Sequence, residues 1–331
     1  MTSLLRAAAL ALATLVTIPT ATFAQTAQTA PAALAAIPAG HDDDLRLFVP
    51  GQPVVKGPAA LAAMPKADLI VWVAGNQFFA MEDLVRTFQT THPHAAVVVV
   101  TLPPGLELDG ILHGGFRYEG HDYPGRPDVY ATVDLGPLRQ LRDAKLATSY
   151  ATYMHNELTL LVAQGNPKHI TGVDDLGRPD VRVSLPNPTN EGIMTYYAKP
   201  MLERHGLYAK LVGDHDCQAC QSAPNVYLTA VHHRETPERL ADGRTDVGIV
   251  WKTEAIAAMA AGAKVQAVAL PPADNERAAV SYYLTPLTAN PTHVALARAY
   301  VGFVTAPAGQ DVYTKYGFVG ADAAERASRP I

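Results

Sequence analysis

Cysteine is scarce in this chain, with 2 in 331 residues, and so is charge, with Asp, Glu, Lys and Arg making up 17%. Two cysteines exclude a scaffold built on disulfides, and a content of 48% hydrophobic residues excludes disorder throughout. No Lys/Arg-rich run is present and the net charge is −5, so the basic footprint that neutralises a nucleic-acid backbone is missing. Nucleic acid is not an expected partner. Beyond the N-terminus no stretch approaches the roughly 20 apolar residues of a membrane span. The G-x-S-x-G, H-E-x-x-H and P-loop patterns are also absent, and with them the common signatures of serine nucleophiles, zinc proteases and nucleotide sites. A binding protein is expected rather than an enzyme, and no motif calls for a cofactor.

The N-terminus has a basic start at Met1 to Arg6, an apolar run from Ala7 to Ile18, and an A-x-A-like site at Ala21-Thr22-Phe23-Ala24. That order is the pattern of a secretory signal peptide spanning residues 1–24, cleaved near Ala24. The cleavage point is not followed by a cysteine that could be acylated. A soluble, monomeric protein in the periplasm is the expectation. There the pair Cys217 and Cys220 would become a disulfide pinning its loop.

Residues 25–65 are rich in Ala, Pro, Thr and Gln and read as an N-terminal extension, loose or ordered only on contact. Its His41-Asp42-Asp43-Asp44 run reads as solvated charge. Regular alternation of strand and helix patterns then begins. Leu69 to Val73 and Val97 to Val100 are bulky apolar runs without polar alternation, as in parallel strands covered on both faces. Residues 103–127, rich in Gly, Pro and His, read as a long surface loop with one short helix, and His113, His121 and Asp122 in it as solvated. Further strand patterns fall at 127–132, 158–162, 181–185, 225–231, 247–251, 265–270 and 279–284, with helical patterns between them. Two α/β modules with a cleft between them follow, the ligand lying beyond the carboxyl ends of strands.

The order of several motifs resembles the solute-binding proteins of bacterial ABC importers, in the class that includes periplasmic molybdate-binding proteins. The matching pieces are Val71 to Asn76, Arg126 to Tyr130, Leu160 to Lys168, Asp174 to Leu176, Val181 to Pro188, Ala241 to Trp251 and Gly309 to Phe318. The resemblance implies a type II periplasmic binding fold with two α/β lobes, hinged at crossovers near 155–160 and 270–283. Lobe 1 would comprise 66–155 plus 283–331, and lobe 2 residues 156–282. It also implies an ABC permease as partner and an oxyanion as ligand, held by hydroxyls and by amides at helix starts.

Placed on this plan, the ligand-binding candidates are Asn76, Gln77 and Gly105 from lobe 1, and Asn190, Glu191, His232, His233, Arg234, Glu235 and Trp251 from lobe 2. Asn76 and Gln77 would orient the ligand, while Glu191 and the His-His-Arg-Glu loop would set charge selectivity. That mixture also fits a metal ion, a metal chelate or a small organic solute. Two alternatives remain beside import: a periplasmic sensor for a signalling partner, and a metal-binding protein using His215, His232 and His233 with the cysteines, a set that oxidation of the thiols would dismantle.

Overall fold

The computed structural model describes residues 33–189, 191–230 and 235–331. Two mixed sheets organise it. The first contains β1 (Leu45–Phe48), β2 (Leu69–Val73), β3 (Val97–Val100), β4 (Val129–Thr132) and β5 (Ser149–His155). The second contains β6 (Leu158–Ala163), β7 (Val183–Leu185), β8 (Val226–Leu228), β9 (Val247–Trp251) and β10 (Val265–Ala269). The chain then returns to the first sheet as β11 (Ser281–Pro286), which lies between β5 and β4. The sheets are therefore joined at residues 156–157 and 270–280, giving a two-lobed α/β fold with two crossovers, as expected.

In the first sheet the order β5-β11-β4-β2-β3-β1 puts β2 at the centre, parallel to both β3 and β4. All four valines of β3 are fully buried. Side-chain alternation sends Leu69, Val71, Val97 and Val99 into one core and Ile70, Trp72, Val98 and Val100 into the other. Because β2, β3 and β4 are parallel, their carboxyl ends reach the same edge. The second sheet repeats the device, with β7 parallel to both β8 and β9.

Two segments are more ordered than their composition suggests. The described part of the N-terminal extension is not loose, since β1 pairs antiparallel with β3 and covers an edge that would otherwise expose its backbone. The acidic run is likewise built in, with Asp42 accepting from Tyr118 and Asp44 from Thr101. Residues 103–127 are not a long loop but a helix at Pro104–His113 and a hairpin of Gly115–Tyr118 and His121–Pro124. Phe116 of the hairpin stacks on Trp72 at 4.3 Å, so the segment is a lid on one face of the first sheet. His113 and Asp122 form exposed ion pairs with Asp109 and Arg117.

The second crossover is pinned to the second lobe. Arg204 donates to Glu276 and to the Ala273 carbonyl, and His205 bridges Asp174 at 2.7 Å and Asp274 at 2.9 Å. Asp274 first, then Asp174, raises the pKa of His205 above its ordinary value. A raised folded-state pKa gives stability that is complete below the unfolded value near 6.5 and is lost as pH rises through the folded one. His205→Ala should therefore cost about 1 kcal/mol at pH 6, with the deficit shrinking as pH is raised to 9 in parallel thermal melts. A deficit constant over that range would disprove the bridge's charge. Gly75 has a different constraint, because a Cβ there would stand 2.9 Å from the Thr101 carbonyl oxygen. Gly75→Ala should destabilise by about 1–3 kcal/mol in urea unfolding.

Candidate functional site

The carboxyl ends of β2, β3 and β4 form the rim of the first lobe. β2 runs into a 3₁₀ turn at Gly75–Ala80 that leads to α1 (Met81–Gln89). β3 runs through Pro103 into α2 (Pro104–His113), and β4 into α3 (Leu135–Asp143), whose N-cap Asp134 accepts from the Gly136 amide. Neither Pro103 nor Pro104 has an amide hydrogen, so Gly105 supplies the first one of α2. No atom stands within 4 Å of where a Gly105 Cβ would lie. Asn76 is partly exposed. Its amide nitrogen donates to the Tyr282 hydroxyl at 2.6 Å, and its carbonyl oxygen is buried without a hydrogen-bond partner.

Gln77 is corrected from ligand contact to core. The 3₁₀ turn, at three residues per revolution, puts Gln77 and Ala80 on one inward face. Gln77 is fully buried, and its Oε1 accepts from Tyr153 at 2.5 Å and Tyr313 at 3.0 Å. Tyr282, also fully buried, receives a second amide from Asn156, which reaches Thr253 as well. This polar cluster joins the first-lobe rim to the first crossover and to α6, counting α4 (Lys199–Arg204) and α5 (Thr236–Ala241) before α6 (Lys252–Ala260).

The second-lobe rim is formed by the ends of β7, β8 and β9. Asn190, His232, His233 and Arg234 lie outside the described residues. Glu191 is not a free selector of ligand charge: it is 5% exposed, and its carboxylate accepts the backbone and side-chain amides of Asn187 and the Thr229 hydroxyl. Glu235 accepts the Ala230 amide at 3.0 Å and pairs with Arg239 at 3.1 Å. Trp251 is 4% exposed, and its amide donates to Glu254. Carboxylates thus occupy backbone amides at the ends of all three strands.

Other rim residues escaped the sequence reading. The chain turns through a π-helix at Ile193–Ala198, which presents Tyr196 at 67% exposure and sets Tyr197 edge-on to Trp251 at 5.3 Å. Burial first, then the charge of Asp134 and the hydroxyls of Tyr283 and Tyr196, pushes the Tyr197 pKa up to about 12. The signal for Asp134 was available, since Asp followed by Leu-Gly-Pro after a strand is an N-cap pattern.

Cys217 and Cys220 form a disulfide. His215 beside them is exposed. Among the described residues no group of three or more His, Cys, Asp or Glu is placed to hold a metal ion. Among them also, no helix is long and apolar enough to cross a membrane.

With this geometry in place, comparison with known proteins gives consistent results. A molybdate-binding protein, ModA, of Mycobacterium tuberculosis is 25% identical over 197 residues, covering 58% of this chain and 65% of the relative. The match thus spans less than two thirds of that protein. A sulfate-binding protein of Synechococcus elongatus is 30% identical over 169 residues, covering 49% of this chain and 47% of the relative. The substrate-binding domain of a molybdenum ABC transporter protein of Clostridium difficile superposes with a TM-score of 0.59 at 17% identity, covering 77% of this chain and 99% of that one. These relatives are binding proteins and not enzymes. Residues 69–319 match the family of bacterial extracellular solute-binding proteins, and the chain belongs to that family.

Proposed function

We propose that the protein is a periplasmic receptor that captures a small solute bearing an anionic group in the cleft between its lobes and delivers it to an ABC permease. The observation that carries this reading is that the parallel strands of each sheet bring their carboxyl ends to a shared edge, with the start of α2 at the first of these presenting an uncapped amide at Gly105. Unpaired amides and the dipole at a helix start both favour negative charge. The names of the mycobacterial and cyanobacterial relatives, for molybdate and sulfate, favour an anion as well. Asn76 and residues 190–192 would complete the contacts, with Trp251 packed edge-on to Tyr197.

Glu191 and Glu235 support the loops of this site by accepting their amides, so their contribution is to the shape of the rim. His232, His233 and Arg234 keep their proposed role as a source of cationic or imidazole contacts to the solute.

Gly105→Glu tests the reading. The new side chain enters open space and an acidic residue suits the first turn of a helix, so the fold should survive. Calorimetric titration of the mature protein with molybdate, sulfate, phosphate, butyrate, γ-aminobutyrate and phosphocholine should find at least one ligand whose affinity falls tenfold or more in the variant. Binding that Gly105→Glu leaves unchanged, or no binding by any of the six, would overturn the assignment.

A further inference from the structure

The edge of the second sheet where β7 and β9 begin, opposite to their carboxyl ends, carries a cavity of about 520 Å³. Its lining is Arg182, Tyr227, Arg239, Gly243, Arg244 and Thr245, and includes no carboxylate. The local fold explains why these residues meet. Since β7, β8 and β9 run parallel, α5 has to return the chain from the end of β8 to the start of β9. α5 stops at Gly243, whose φ of 66° is the left-handed conformation that glycine favours, and the Arg239 carbonyl accepts the amides of Arg244 and Thr245. The Gly243 carbonyl in turn accepts from Arg182, the residue before β7, at 2.5 Å. That helix stop therefore gathers the three arginines at one edge.

Each guanidinium is oriented by an acid that is not part of the lining. Arg182 forks onto Asp246, with Nε at 3.1 Å and Nη2 at 2.7 Å. Arg239 donates to Glu235 at 3.1 Å and to the Leu228 carbonyl at 3.2 Å. Arg244 pairs with Asp242 at 2.9 Å, and both are exposed. A guanidinium has more N–H groups than these bonds use. Held in place beforehand, it loses less freedom for each further bond it makes.

We infer that this cavity is a second binding site, for an organic phosphate monoester held by Arg182, Arg239 and Arg244. A phosphate monoester carries roughly −1.5 to −2 charge and three acceptor oxygens, which suits three forked donors better than a single carboxylate does. The volume of about 520 Å³ is more than inorganic phosphate fills and lies in the range of sites for small organic molecules. The Tyr227 ring in the same wall offers apolar surface to the organic part. Because the cavity lies at strand starts and the cleft candidates at strand ends, the two sites are separate.

Arg244→Glu and Arg182→Lys test the site, each made in the Gly105→Glu background so that the cleft contributes little to the signal. Arg244 has only an exposed partner, so the fold should survive its reversal. Arg182→Lys keeps the charge beside Asp246 but removes the fork, so a loss there reports geometry rather than net charge. Thermal melts check that both variants fold. Calorimetric titration of the mature protein uses glycerol 3-phosphate and ribose 5-phosphate, with glycerol and inorganic phosphate alongside. At least one ester should bind tenfold or more tightly than inorganic phosphate and should lose tenfold or more in both arginine variants. No binding of either ester, inorganic phosphate binding as tightly as both, or an ester affinity within twofold of the parent in Arg244→Glu overturns the inference. Any of those results leaves the receptor reading standing, since it is tested by Gly105→Glu alone.

Discussion

Wherever a buried strand ends, the next backbone amides lose the sheet as partner and need another acceptor, or the loop loses stability on the order of 1–3 kcal/mol for each one left buried. This constraint shapes the cleft of the protein more than any single contact. The parallel strands of each lobe bring their ends to one edge, so several such amides gather where a ligand is expected. A site for a simple oxyanion would leave them for the ligand. Here carboxylates from the following turns and helices meet them instead, at Leu102, Gly136, Asn187, Ala230 and Trp251. The loops are therefore held by the protein's own acids before any ligand arrives.

Rigidity has a second source where the lobes meet. Tyr282 receives Asn76 from the first-lobe rim and Asn156 from the first crossover, and Asn156 also reaches Thr253 at the start of α6. Next to it, Tyr153 and Tyr313 both donate to Gln77. A buried network of this kind holds one geometry because its members lose more when partly satisfied than when complete. Asn76 thus links the first-lobe rim to the first crossover. The second crossover is tied down separately by Arg204 and His205. One crossover is therefore bonded to the first-lobe rim while the other is anchored to the second lobe.

Much of the architecture was legible because buried parallel strands write themselves as uninterrupted apolar runs, and Val97 to Val100 is the plainest case. What the sequence concealed follows from the same physics. Leu45 to Phe48 looked like part of a loose extension because Asp and Pro-Gly residues flank it, yet those residues make the turns that deliver it to the edge of β3. The 103–127 segment looked like loop because its Gly, Pro and His content reports tight packing and turns: Gly110 sits where a Cβ would strike the Phe116 ring. At the site, residue type was a poor guide to direction. Gln77 and Glu191 are polar and were placed at the ligand, but the 3₁₀ turn carries the first into the core and loop amides hold the second. Asp134, exposed at the first-lobe rim, reads in sequence as an ordinary helix cap.

Asp134 caps α3 at the rim of the first lobe, and a cap at such a position can alter the field at a site without altering the frame. Asp134 has two oxygens, and one of them accepts the Gly136 amide. Helix capping fixes the carboxylate's position without neutralising it, because a backbone amide offers only a partial charge. The carboxylate is exposed at the first-lobe rim, with its position fixed by the cap. Replacing a hydroxyl cap by a carboxylate at such a position would keep the helix and invert the field at the rim. Ligand class in this fold can then change through the acid or hydroxyl character of a few caps, while the strands, the crossovers and the aromatic backing stay as they are.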